Sequence, residues 1–252
     1  MTEPAPVLRT RGLEKRFGGV HAVRDVDLEV AAGERRAILG PNGAGKTTLF
    51  GLVAGSILPS AGTVELFGRD VTSLSAPRRT RLGLSRTFQT SRVLGGLTVE
   101  DNAYLAALGV RGGHLRPVRT RADRALRAAA ARACARVGLD GRLGAVAAEL
   151  SHGEHRQLEI ALALAAEPRL LMLDEPAAGL SRAERTLLTQ LLRSLERDVT
   201  LILIEHDMDV ALMVAERVTM MHDGRIVVEG TPDEIKANTL VHDLYLGRGH
   251  AA

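Results

Sequence analysis

Val26, Leu28 and Val30 alternate with Asp27 and Glu29, and the pattern stops at the Ala31-Ala32-Gly33 turn. A period of two sets one face of a strand against a core and the other in water. Residues 63–67, bracketed by Gly62 and Gly68, predict a second such strand. Three further runs, Ala37-Ile38-Leu39, 170–173 and 201–204, are apolar without alternation, the pattern of parallel strands buried on both faces. The last two run straight into Asp174-Glu175 and Glu205-His206, and ligand groups belong at such carboxyl ends. Alanine-rich residues 123–137 and residues 154–166 predict helices. The pattern as a whole is α/β, with an antiparallel edge beside a buried parallel sheet.

Length and composition narrow this picture. The 252 residues suit one large domain, or one domain with an inserted lobe. A formal charge of +3 and a pI near 9.5 are a mild bias that does not call for nucleic acid. With no Trp, two Tyr and four Phe, base-stacking platforms are scarce. The single Cys134 excludes an intrachain disulfide and suits a reducing cytoplasm. No signal peptide is visible in residues 1–6. The run 160–166 falls well short of the roughly 20 apolar residues that span a bilayer, so work on a membrane is expected to go through a partner. Between Arg111 and Arg142 lie nine arginines and two acids. We read an inserted helical lobe whose arginines form a solvated face, in preference to a surface for anionic lipid or an acidic partner.

The candidate chemistry begins at Gly40-Pro41-Asn42-Gly43-Ala44-Gly45-Lys46-Thr47, a complete G-x-x-x-x-G-K-[ST] loop after the apolar run ending at Leu39. Its glycines let successive N–H groups turn toward phosphate oxygens. Lys46 adds a charge for the β- and γ-phosphates, and Thr47 offers a hydroxyl to Mg²⁺. A helix starting there presents its positive end. At the next strand end, Asp174 is suited to hold Mg²⁺ and Glu175 to polarise a water. His206 is placed for a γ-phosphate contact. Gln89 is a neutral amide able to sense Mg²⁺ or water. Ser151 and Gly153, just ahead of the helix from Glu154, form a second anion site. His152, Glu154 and His155 lack a third ligand at zinc spacing.

In this order the residues resemble the ATP-binding cassette ATPases from Leu8 to Gly247. The resemblance rests on Phe17, the loop from Gly40 to Thr48, Gln89, the stretch from Leu150 to Gln157, Asp174-Glu175 and His206. Within that family, Arg16-Phe17-Gly18-Gly19, Arg86-Thr87-Phe88-Gln89, the stretch from Asp174 to Leu180 and Glu205-His206-Asp207-Met208 look like the ATPases of branched-chain amino acid importers. The resemblance implies a P-loop NTPase cassette with a RecA-like core and an antiparallel β subdomain (8–89 and 168–230), an α-helical subdomain (90–167) and a C-terminal extension (231–252). It implies ATP and Mg²⁺, with Phe17 stacking adenine and Thr47, Gln89 and Asp174 around the metal. Ser151, Gly153 and Glu154 would act in trans on the nucleotide of a second cassette, identical or paralogous. Further implied partners are two transmembrane permease subunits, docking near residues 90–104, and a periplasmic or lipid-anchored solute-binding protein. The chain would then sit peripherally on the cytoplasmic face of the cell membrane. A urea or amide importer and a lipopolysaccharide or lipid exporter share nearly the same motifs. A soluble cassette of DNA repair or translation would need a second cassette or a long coiled coil, and a stand-alone P-loop kinase would leave Ser151-His152-Gly153 without a role. His152 and Glu154 stand where Gly and Gln are commonest in the family, and Ser181 stands where Asp is usual.

Overall fold

The computed structural model describes residues 6–87, 93–111 and 121–246. The chain opens with a long hairpin, β1 (Leu8–Phe17) and β2 (Val20–Val30), then enters β3 (Arg35–Leu39) and, through the phosphate loop, α1 (Lys46–Ala54). There follow β4 (Ala61–Leu66), β5 (Arg69–Asp70), α2 (Ala76–Arg81) and β6 (Leu84–Arg86). A helical stretch comes next: α3 (Val99–Arg111), α4 (Arg121–Arg136) and α5 (His152–Leu164). The chain then alternates through β7 (Leu170–Asp174), α6 (Arg182–Ser194), β8 (Thr200–Ile204), α7 (Met208–Val214) and β9 (Arg217–His222). It closes with β10 (Arg225–Gly230), α8 (Pro232–Ala237) and α9 (Thr239–Leu246).

Among the described residues the strands form two sheets. One is antiparallel in the order β2-β1-β4-β5; the other runs β10-β9-β3-β8-β7-β6 and is parallel except for β10. The apolar runs are therefore buried on both faces. Ala37 and Leu39 of β3, Leu171 and Leu173 of β7, and Leu201 and Leu203 of β8 face the helices α3 to α7 in one core. Ile38, Leu170, Met172, Ile202 and Ile204 face the other way, into a core shared with α1 and the antiparallel sheet. Each fully buried Leu, Ile or Met stabilises by about 1.5–3 kcal/mol, so these short strands are fixed in register by both layers.

Helix α1 is held at its far end by an unexpected charge. Arg79 of α2 is fully buried, and its guanidinium donates to the carbonyls of Leu52 and Val53 at 2.7 and 2.8 Å, of Leu74 at 3.0 Å and of Thr72 at 3.1 Å. Two of those carbonyls belong to the last turn of α1, where backbone acceptors lack helical partners. Burial pulls the guanidinium down to about 10. The helical lobe shows a different use of arginine: Arg127 lies over the Tyr104 ring at 4.7 Å and pairs with Glu100 and Asp101, while Arg132 meets Glu167. These two arginines are tied to the chain's own acids, while residues 112–120 of the arginine-rich stretch lie outside the described residues.

Candidate functional site

The phosphate loop connects β3 to α1 at the carboxyl edge of the six-stranded sheet. A Cβ on Gly40 would lie 2.2 Å from the Met221 carbonyl oxygen, and one on Gly45 2.3 Å from that of Ala22. Both positions also have positive φ, 152° and 97°, so only glycine fits. The turn of the β9–β10 hairpin backs the loop: Gly224 N–H donates to Ala44 O at 3.1 Å, and Arg24 N–H to Gly224 O at 2.8 Å. Asn42, Gly43 and Thr47 are exposed, Pro41, Gly45 and Thr48 half-buried, and Ala44 and Lys46 buried. Lys46 Nζ donates to Gly40 O at 2.6 Å and Pro41 O at 3.1 Å. Burial holds its ammonium below the usual lysine range, opposed by the charges of Glu175 and Asp174. Gly45 caps α1 with no side-chain bond, so the first N–H groups of the helix face a cleft of about 540 Å³. That cleft is also lined by Val20, His21, Glu175 and Asp223. Phe17 stands beside it at the tip of the first hairpin, paired with Val20 and 48% exposed.

Two strand ends bring the other candidates to the same edge. Asp174 closes β7 opposite Ile204 of β8. Its Oδ2 accepts from Arg86 at 2.8 Å, while its buried Oδ1 has no hydrogen-bond partner among the described residues. Glu175 follows with φ 48°, a left-handed conformation uncommon for a non-glycine and shared among the described residues with Asp25, Phe67, Glu167 and Asp223. Its N–H donates to Ile204 O at 3.0 Å, and its Oε2 lies 3.8 Å from Nδ1 of His206. His206 is exposed enough to reach a ligand. Gln89 lies outside the described residues.

Sequence reasoning missed Glu205, although an acid directly after four apolar strand residues was a visible signal. Its side chain is fully buried between β8 and the segment after Glu175. Oε1 accepts from Ala177 N–H at 2.9 Å, and Oε2 lies 4.0 Å from His206 Nδ1. Burial pushes this carboxyl up, opposed by backbone N–H groups of Ala177, His206 and Asp207 and by the His206 charge. Arg86, which fixes Asp174, was missed as well; inside Arg86-Thr87-Phe88-Gln89 it had no separate signal.

Ser151 and Gly153 occupy a different place. Ser151 caps α5: its Oγ accepts from Glu154 N–H at 3.3 Å, and Glu154 Oε2 accepts from Ser151 N–H at 2.8 Å. This is a full capping box. It holds the Glu154 carboxyl below its usual range, with the Ser151 N–H as the main cause. Arg142 pairs with the other Glu154 oxygen at 3.2 Å. Glu184 of α6 lies against the same turn. Its Oε1 would be 2.9 Å from a Cβ on Gly153, while its Oε2 closes a second capping box with Ser181 at 2.7 and 2.8 Å. Ser181 thus starts α6 as a neutral cap, and the His152 ring lies against Gly179. Ser151, Gly153 and Glu154 line a cavity of about 160 Å³ with Leu180 and the exposed Leu187, sharing no residue with the phosphate-loop cleft.

The ABC transporter family model matches residues 23–178. The high-affinity branched-chain amino acid transport ATP-binding protein LivG of Salmonella typhimurium is 38% identical over 96% of this chain and 98% of its own. BraF of Pseudomonas aeruginosa, of the same description, is 36% identical over the same shares. Among solved structures, the ADP conformation of an ATP-binding cassette of an ABC transporter superposes with a TM-score of 0.85 at 26% identity, covering 96% of this chain and 99% of that one. A cbiO1 from Clostridium perfringens, part of an ABC transporter complex, gives 0.82 at 27% identity, covering 97% of each.

Proposed function

The chain belongs to the ABC transporter family as an ATP-binding, ATP-hydrolysing subunit, and on that premise we propose that it powers uptake of branched-chain or related amino acids through a membrane permease. The observation that carries this reading is the convergence of Lys46, Asp174, Glu175 and His206 on one sheet edge, in a chain that matches amino acid transport ATP-binding proteins along nearly all of its length.

Each residue has a role that follows from its position. Phe17 stacks the adenine. The N–H groups from Gly43 to Thr48 and the N-terminus of α1 receive the phosphates, with Pro41 and Asn42 shaping the loop. Lys46 bridges the β- and γ-phosphates. Mg²⁺ fits the donors present, because among the described residues Asp174 Oδ1 is buried without a hydrogen bond and Thr47 is exposed at the loop. Thr47 and Asp174, with Gln89, would hold it, and when bound it supplies positive charge to the phosphate oxygens. Glu175 orients the attacking water and takes its proton; His206 donates to the γ-phosphate. Two cassettes pack head to tail, so Ser151 and Gly153 of the partner subunit cover the nucleotide. The separation of the two cavities within one chain supports this division. Glu154, held by Ser151 N–H and Arg142, is set beside that nucleotide with acceptor capacity to spare.

No helix of the described residues is long and apolar enough to cross a membrane, so attachment to the cytoplasmic face goes through the permease pair. A groove of about 440 Å³ between α2, β6, α3 and α5 supports this, its lining including Leu94, Leu105, Ala106 and Leu162. We assign the docking of a permease helix to it, and capture of solute to a separate binding protein. The substrate is tested by uptake in cells carrying the assembled transporter. Lys46→Ala should bring uptake of labelled leucine, isoleucine or valine to background. If amino acid uptake is unchanged while urea or amide uptake is lost, the chain energises the alternative importer.

A further inference from the structure

We propose that Glu205 is a positioning residue for hydrolysis: through its buried carboxyl it locks the peptide after Glu175 against the end of β8, and so sets the place of both Glu175 and His206. The inference rests on the reading of Glu175 and His206 given above. Glu205 connects to both. Its Oε1 accepts from Ala177 N–H at 2.9 Å, two residues beyond Glu175. Its Oε2 has no hydrogen-bond partner among the described residues and stands 4.0 Å from His206 Nδ1. Its backbone is part of β8's neighbour pairing, with Glu205 N–H 3.4 Å from Ile38 O, on the strand that feeds the phosphate loop.

Burying a carboxyl completely is unfavourable unless its bonds are needed where they are. Here the carboxyl spans the gap between two strand ends. Glu175 sits in a left-handed turn with φ 48°, a conformation that persists only when neighbouring contacts hold it. Among the described residues the contacts that do so include Glu175 N–H to Ile204 O at 3.0 Å, Ala178 N–H to Glu175 O at 3.1 Å, the Arg156 guanidinium to Ala178 O at 3.5 Å, and the Glu205 bond to Ala177. The Glu205 bond is the shortest of them and comes from the strand end that carries His206. What matters in this role is the reach of the side chain and an acceptor at its tip, and Glu and Gln share both while Asp is one methylene short.

The test uses the purified full chain and two variants that leave little or no cavity, Glu205→Gln and Glu205→Asp, with Glu175→Gln as the control for the underlying reading. Glu205→Gln should hydrolyse ATP within about threefold of wild type. Glu205→Asp should lose roughly 10- to 100-fold in kcat, the order expected when a reacting group is displaced by about 1 Å. Its Kd for ATP should remain within about twofold, since the phosphate loop is untouched. Glu205→Asp turning over at the wild-type rate, or both variants being equally slow, overturns the proposal, as does a loss confined to ATP affinity. If Glu175→Gln itself retains wild-type turnover, the reading of the site fails instead.

Discussion

Helices α1 and α5 both begin at a sequence that predicts anion binding, yet their first turns are built in opposite ways. At α1 the cap is Gly45, which contributes no side chain, and the first N–H groups open into the phosphate-loop cleft. At α5 the cap is Ser151, and the Ser151–Glu154 box satisfies the turn from within. Helices α6 and α8 are closed in the same manner, by Ser181–Glu184 and Thr231–Glu234. A glycine cap costs only about a few tenths of a kcal/mol relative to a side-chain cap, and at α1 it leaves the first N–H groups facing the cleft in which we propose that phosphate binds. The self-capped α5 needs no ligand to satisfy its first turn, and in our proposal it presents Ser151 Oγ and Gly153 to the nucleotide of a second chain.

The contrast can be broken at three points. The largest effect is expected at the far end of α1. Arg79→Ala removes a donor from four carbonyls, of which Leu52 O keeps the Gly55 N–H at 3.3 Å, and at about 1–3 kcal/mol for each of the others left buried and unpaired it should lower stability by about 3 kcal/mol or more, read by urea unfolding. A loss under about 1 kcal/mol would show that α1 is held by packing alone. Next, Lys46→Ala should weaken ATP binding by roughly 10- to 100-fold in equilibrium titration, equivalent to about 1.5–3 kcal/mol for a charge-assisted bond. Smallest, Ser151→Ala should cost about 1 kcal/mol of stability through the lost cap and leave ATP binding by the single chain unchanged, while slowing hydrolysis. Equal effects of Lys46→Ala and Ser151→Ala on ATP affinity would mean that both helix starts serve one nucleotide within one chain.

Much of this arrangement was legible in the residue pattern. The buried strands at 170–173 and 201–204 and the phosphate loop could be read because continuous apolar runs ending in polar groups have few other structural solutions. The capping sequence Ser-His-Gly-Glu also announced α5, which starts at His152, two residues ahead of the predicted start, because the cap precedes the first glutamate. Other features depended on tertiary contacts. Arg79 lies in Pro77-Arg78-Arg79-Thr80-Arg81, a run that reads as a surface, and only the proximity of α1 makes one of these arginines a buried donor. Glu205 could be placed at a strand end, but its bond to Ala177 joins residues 28 positions apart. The three residues of β6 carry too short a pattern to be read as a strand, yet they place Arg86 beside Asp174.

The central claim is that Glu175, at the carboxyl end of β7, acts on a nucleotide held by the loop before α1. It is tested most directly by measuring ATP affinity and single-turnover hydrolysis on the same preparation of Glu175→Gln. The predicted result is an unchanged Kd for ATP with hydrolysis reduced by about 10²- to 10⁴-fold, the contribution of a general base. Wild-type hydrolysis in that variant, or a loss of hydrolysis accounted for by weaker ATP binding, would contradict it.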